Sequence, residues 1–205
     1  MASAQLDSLG SKELEKLQCY HALLLKWQDS INLISPKTIE SAWKRHFEDS
    51  LQLLRLLPQG PTTLFDLGSG AGFPGLVLAC AREDIAVHLI ESDQKKCTFM
   101  RTVSRETKTP VQVHNARIES FEGTVIPDVV SARALASLPS LLDYIWPWAK
   151  KNPDLLLLLP KGENYQQEVD AARETYDFSV VVHGSETSQL SAVLELSGLC
   201  KKDSF

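Results

Sequence analysis

Cysteine is scarce in this 205-residue chain, and what there is lies far apart. Cys19, Cys80, Cys97 and Cys200 form no CxxC and no Cys/His ligand pair. That spacing supports neither a disulfide framework nor a zinc site, so no metal is expected. Reduced, mostly buried thiols in a cytoplasmic protein are the plain expectation. Long hydrophobic runs are missing too: Leu155 to Pro160 is far too short to span a bilayer. The stretch "MASAQLDSLGSKELEKL" has no apolar signal core. An excess of positive charge is also absent. The formal net charge is −5, so no global field advertises a nucleic-acid partner. No internal repeat or low-complexity tract occurs. Hydrophobic residues at 43% nevertheless suffice for a sizeable core, and the length suits one domain with a small extension.

The chain reads in two styles. Residues 5–57 read as helical, with Leu6, Leu9, Leu14, Leu17, Leu24 and Trp27 at helical spacing. Ser35 is an expected N-cap with Pro36 at the first helical position. From there an amphipathic helix is expected to run to the stop at Pro58 and Gly60. Beyond the short hinge "PQGP", apolar runs alternate with helical stretches. Strands are expected at 63–67, 86–91, 111–114, 128–132, 154–159, 178–183 and 191–196. Helices are expected at 74–82, 94–107, 138–149 and 163–173. This alternation implies an α/β fold whose sheet is mostly parallel and covered on both faces. The last two strands, joined by a short polar loop with Gly184, suit an antiparallel hairpin. The expected organisation is a helical extension over 1–60 and an α/β domain over 61–205.

"FDLGSGAGFPG", residues 65–75, packs four glycines and one proline into eleven positions. It follows a strand and precedes a helix, at the carboxyl end where open α/β sheets bind ligands. One or two glycines would suffice for a merely tight turn. The letters Gly70 to Gly75 match the dinucleotide fingerprint GxGxxG, but three residues beyond the strand. Pro74 also stands where a pyrophosphate-binding helix would offer an N–H. The frame Asp66-x-Gly68-x-Gly70-x-Gly72 starts on the strand itself and is the S-adenosylmethionine-binding pattern of Rossmann-like methyltransferases. In that frame Asp66 can pair with the cationic end of a methionine moiety. Glu91, ending the second strand, can accept two hydroxyl hydrogen bonds from a ribose; alternatively it caps the helix at 94.

These stretches resemble the RsmG family, also called glucose-inhibited division protein B, the 16S ribosomal RNA guanine-N7 methyltransferases. The resemblance is carried by "KWQDSINLIS" at 26–35, "RHFEDSL" at 45–51, the glycine loop, "LIESDQKKCTFMR" at 89–101, "NARIESF" at 115–121, "VVSARALASL" at 129–138 and "PKGEN" at 160–164. It weakens after about residue 165, and "SQLSAVLEL" lacks the basic residue that often precedes the family's last strand. The resemblance implies a Rossmann-like class I methyltransferase fold with a seven-stranded, mostly parallel sheet. It implies S-adenosylmethionine as cofactor and 16S ribosomal RNA, or the assembling small ribosomal subunit, as partner of a monomeric protein. It implies cofactor contacts from Gly68, Phe73, Ile118, Glu119 and Arg133. Arg133 follows a strand, where it can meet the methionine carboxylate, a phosphate or a guanine edge, or form an ion pair with Asp66 or Glu119. Arg45, His46 and Lys161 stand in family motifs as candidate RNA contacts. His46 has the alternative of packing against Asp49 or Asp66. Guanine N7 carries a lone pair and no proton, so no general base is expected and no Ser/His/Asp set is present. A methyltransferase for a small molecule or protein, and a non-catalytic RNA-binding module, are the competing readings.

Overall fold

The computed structural model describes residues 9–202, so Leu6 and the start of the expected helical stretch lie outside the described residues. Seven strands form one sheet: β1 (Thr62–Leu67), β2 (Ile85–Glu91), β3 (Gln112–Asn115), β4 (Val129–Ala132), β5 (Leu156–Lys161), β6 (Tyr176–Gly184) and β7 (Ala192–Lys201). Their order is β3-β2-β1-β4-β5-β7-β6. The first five strands run parallel, and β7 joins antiparallel to both β5 and β6. β1 and β4 are neighbours that lead in opposite directions across the sheet, and the crevice at their carboxyl ends is the switch point of the topology.

Period-two alternation divides the core. Leu64 and Val129 face one hydrophobic cluster, while Phe65, Leu67 and Val130 face the other. The first cluster is covered by α1 (Ser11–Gln28), α2 (Gly75–Ala81) and α3 (Gln94–Glu106). The second is covered by α4 (Leu138–Ala149) and α5 (Tyr165–Ala172). Local chemistry sets these helices. Asp93 accepts the N–H groups of Lys95 (2.8 Å) and Lys96 (3.1 Å) to cap α3. In α4, Leu138, Leu141, Leu142 and Ile145 recur on one buried face. Among the described residues no helix is long and apolar enough to cross a membrane.

The single helix expected from Pro36 to Leu57 is broken. A 3-10 turn, Pro36–Thr38, is followed by a bend, then a π-helix, Trp43–Glu48, one α-turn, Asp49–Leu51, and a 3-10 stretch, Gln52–Leu56. Side-chain hydrogen bonds accompany the break. The Thr38 hydroxyl donates to the Ser35 carbonyl and Ser41 reaches the Thr38 carbonyl, so both compete with the helical ladder. Pro36 occupies the first position of the 3-10 turn, but Ser35 caps with its backbone only. The π-turn packs Trp43 on Phe47 at 5.1 Å and presents His46 to Phe73, also at 5.1 Å.

Candidate active site

The glycine loop leaves β1 in a tight reversal. The N–H groups of Gly68 and Ser69 both donate to the Ile90 carbonyl, at 2.9 and 3.2 Å. Gly68, Gly70 and Gly72 all take positive φ, which a side chain would resist. Glu91 braces the loop from β2. Its Oε2 accepts the Gly70 N–H at 2.9 Å and its Oε1 accepts the Asp93 N–H at 2.8 Å. Capping of α3 therefore falls to Asp93, and Glu91 is turned to the loop.

Asp66 differs from the sequence expectation. It is fully buried, and its oxygens accept the Ser131 hydroxyl at 2.8 Å and the Gly75 N–H at 3.2 Å. Burial pushes its carboxyl up to about 6 despite these bonds. Asp66 lies beneath the loop and lines neither cavity described below. Alternation along β1 turns it toward α2 rather than toward the crevice.

Two cavities of about 490 Å³ each meet over this loop. Gly68, Gly70, Ala134 and Ala136 line both. The one on the β2 side adds Glu91, Ile118, Glu119, Leu135 and Tyr144. Glu119 lies against the Tyr144 hydroxyl and raises its pKa. The other cavity adds Phe73, Arg133, Arg45, His46, Asp49 and Lys161.

Arg133 organises the second cavity. Its guanidinium lies 5.1 Å from the Phe73 ring centre. Nη1 donates to the Arg45 carbonyl at 3.2 Å and stands 3.6 Å from Asp49 Oδ2. Nη2 meets His46 Nδ1 at 3.0 Å. A guanidinium only donates, so Nδ1 accepts and the imidazole proton sits on Nε2. Nε2 then donates to Thr38 Oγ1 at 3.0 Å, and Thr38 donates on to the Ser35 carbonyl. Burial, with Arg133 and Arg45 nearby, pulls His46 down to about 4. The ion partner of Arg133 is thus Asp49, neither Asp66 nor Glu119. The partners of His46 are Arg133 and Thr38, neither Asp49 nor Asp66. In both cases the π-turn brings the 45–49 backbone up to β4, which no local spacing encodes.

Lys161, a candidate RNA contact, lines the cavity but is engaged by the protein's own groups. Its side chain is 9% exposed, and Nζ donates to the Ala136 carbonyl (3.0 Å) and to Glu168 Oε2 (2.7 Å). Arg45 is exposed on the cavity rim, with no side-chain bond among the described residues. Three contributors went unread in the sequence. Tyr20, stacked 5.6 Å from Phe73, donates its hydroxyl to the Ala71 carbonyl. Asp49, expected only as a packing alternative for His46, faces Arg133 instead. Thr187 and Glu168 had no local signal at all.

The family model described as GidB, rRNA small subunit methyltransferase G, matches residues 13–193. A relative from Sinorhizobium fredii, named ribosomal RNA small subunit methyltransferase G, is 45% identical over 195 residues, covering 92% of this chain and 90% of the relative. A relative of the same name from Parvibaculum lavamentivorans is 44% identical over 200 residues, covering 95% and 87%. Among solved structures, the ribosomal protein L11 methylase of Lactobacillus delbrueckii subsp. bulgaricus superposes with a TM-score of 0.59 at 14% identity, covering 75% of this chain and 78% of that one. The magnesium protoporphyrin IX methyltransferase of Synechocystis with bound SAM gives 0.58 at 11% identity, covering 87% and 96%. The structural likenesses carry the Rossmann-like fold, and the sequence matches carry the rest: the chain belongs to the GidB family, rRNA small subunit methyltransferase G.

Proposed function

We propose that this chain is an S-adenosylmethionine-dependent methyltransferase acting on N7 of a guanine in 16S ribosomal RNA, free or in the assembling small subunit. The observation that carries this reading is the junction of two cavities over Gly68 and Gly70, with Glu91 on one side and Arg133 on the other. The residues fit the cofactor. Each Glu91 oxygen accepts one backbone N–H, which leaves acceptor capacity for two ribose hydroxyls. Ile118 offers an apolar wall to adenine, with Glu119 beside it for the exocyclic amine. Arg133 is held over the Phe73 ring with donors to spare for the methionine carboxylate. Gly70 keeps the loop bare toward the cavities, Gly72 leaves room behind it for Tyr20 and Leu76, and Asp66 supports it from below.

The bound cofactor supplies an electrophilic methyl group. The work of the chain is placement: an acceptor nitrogen must be held in line with that methyl. Guanine N7 needs no deprotonation. His46 could not remove a proton readily in any case, since its Nδ1 lone pair is taken by Arg133. His46 acts by orienting Arg133. Arg45 on the rim is the phosphate contact. In this reading the 1–60 extension brings Tyr20, Arg45, His46 and Asp49 to a site built on the 61–205 domain.

The test is methylation of ribosomal RNA from a strain lacking this protein, using radiolabelled cofactor. Label in 16S RNA, with chain scission at the labelled guanine after mild reduction and aniline, is expected. Label absent from 16S RNA, or no scission, overturns the assignment.

A further inference from the structure

The turn at 133–137 connects β4 to α4 and divides the two cavities, since Ala134 and Ala136 line both. It is not a relaxed turn. Ala134 sits at φ 52°, a left-handed conformation that side chains other than glycine avoid. Leu135 is 37% exposed and lies directly against Gly68: a Cβ added there would come within 2.5 Å of Leu135 Cδ1. A strained turn carrying a half-exposed leucine onto the glycine loop needs to be held from outside.

The holding groups come from two other elements. Lys161, at the end of β5, donates to the Ala136 carbonyl at 3.0 Å. Glu168, on α5, accepts the Leu138 N–H at 2.7 Å. Leu138 opens α4, so this N–H is one of the donors that a helix leaves unpaired. Ser137 stands at the N-cap but makes no capping bond with its side chain, which pairs with Ser140 instead. The carboxylate of Glu168 takes that place at the positive end of the helix. Lys161 and Glu168 then bond to each other at 2.7 Å. The carboxyl end of the turn is thus fastened on either side of Ser137 by one ion pair.

Resting on the cofactor reading above, we propose that Lys161 and Glu168 form a clasp that holds the 133–138 turn in its strained shape, and that this positions Leu135 and Ala134 against the bound cofactor. Both are positioning residues. Lys161 reaches the cofactor only through Ala136 and makes no contact with RNA phosphate.

Calorimetric titration of S-adenosylhomocysteine into the full chain tests this, with Lys161→Met, Glu168→Gln and the double variant beside the wild type. Each single variant is expected to bind about tenfold more weakly. The double variant should be no weaker than the singles, because either change opens the same clasp. RNA affinity measured against salt should keep its slope in Lys161→Met. Variants that fold and bind as tightly as the wild type overturn the clasp. So does a Lys161→Met slope reduced by about one with cofactor binding intact, the mark of a lost phosphate contact. A wild-type protein that takes up no S-adenosylhomocysteine overturns the cofactor reading itself, and the clasp as a cofactor device with it. If the variants do not fold, hydrogen exchange on the wild type decides. The Leu138 amide should be protected in the free protein, and exchange at the rate of an exposed amide overturns the clasp.

Discussion

The Thr187 hydroxyl donates to Asp49 Oδ1 at 2.6 Å, joining residues 138 positions apart. The same oxygen accepts Gln52 Nε2 at 2.9 Å, while Oδ2 faces Arg133 at 3.6 Å. Gln52 in turn accepts the Glu186 N–H through its own side-chain oxygen at 3.2 Å. One carboxylate thereby ties the loop between β6 and β7 to the 43–56 segment and to the guanidinium in the site. Together these parts make the rim of the cavity that Arg133 organises.

Removing the hydroxyl while keeping the shape cuts that tie, together with a local bond to Ser185 Oγ at 3.1 Å. Thr187→Val should cost about 1 kcal/mol in denaturant unfolding, the usual net worth of one hydrogen bond. Its KM for RNA should rise several-fold while cofactor affinity stays within twofold. Thr187→Ser should restore both. An unchanged KM for RNA in Thr187→Val would show that the rim does not shape the acceptor side.

Glycines of one loop should fail in different ways. A Cβ at Gly70 would find nothing nearer than the Gly68 carbonyl at 3.9 Å, so Gly70→Ala costs only the strain of φ 58°, about 1 kcal/mol. Its methyl would project at the junction of the cavities, and cofactor affinity should drop at least tenfold. Gly75 has an ordinary helical φ, but a Cβ there would lie 2.7 Å from Asp66 Cβ and 2.8 Å from Leu89 Cδ2. Gly75→Ala should therefore destabilise the fold by about 1–3 kcal/mol through overpacking. Thermal melts and cofactor titration on the two variants separate these outcomes.

Asp66 and His46 should pull stability in opposite directions with pH. Asp66 is held at about 6 against an ordinary 3.8, so its contribution is complete below pH 3.8 and is lost as pH rises through 6. His46 is held at about 4 against 6.5, so its contribution is complete above pH 6.5 and drains away as pH falls toward 4. Asp66→Asn keeps an acceptor for the Gly75 N–H and gains a donor for Ser131, without the charge. Its advantage over wild type should be smallest near pH 4 and grow toward pH 7, to about 3 kcal/mol at most. Melts of both proteins across pH 4–8 check this. A variant whose disadvantage widens with rising pH would show that the charged form is the one the fold favours.

Much of this was legible in the chain, and the reasons for the rest are physical. The sheet could be read because Leu64, Phe65 and Leu67 sit in a short apolar run flanked by turn residues, and β2, β4 and β5 repeat that pattern. The glycine loop could be read because strand, turn and helix are contiguous. What could not be read is which way a residue at a strand end points once the helices have packed. Asp66 was credited with a ligand contact on spacing alone, yet its side chain lies under α2. Tyr20 to Ala71, Thr187 to Asp49 and Glu168 to Leu138 are contacts across 51, 138 and 30 positions, and no periodicity announces them. The break in the helix at 39–42 escaped for a related reason. Thr38 and Ser41 are acceptable helix residues, and the hydrogen bonds they make to nearby carbonyls at the break are not marked in the local pattern.

The pH dependence of methyl transfer follows from the same hydrogen bonds. A base would need a free lone pair and a pKa near the working pH. His46 offers neither: Nδ1 accepts from Arg133, Nε2 carries its proton to Thr38, and protonation waits until about pH 4. With guanine N7 as acceptor, the single-turnover rate should be flat from pH 6.5 to 8. Asp66, held at about 6, is the group able to mimic a titrating step, by loosening the glycine loop as it charges. Any inflection near pH 6 should therefore vanish in Asp66→Asn and persist in His46→Gln. His46→Gln should slow the reaction by about tenfold through a misoriented Arg133, leaving the flat profile in place. A wild-type rate that climbs steeply between pH 6.5 and 8 and flattens in His46→Gln would make His46 a base. That result would point to an acceptor carrying a proton, an exocyclic amine or a hydroxyl, in place of N7.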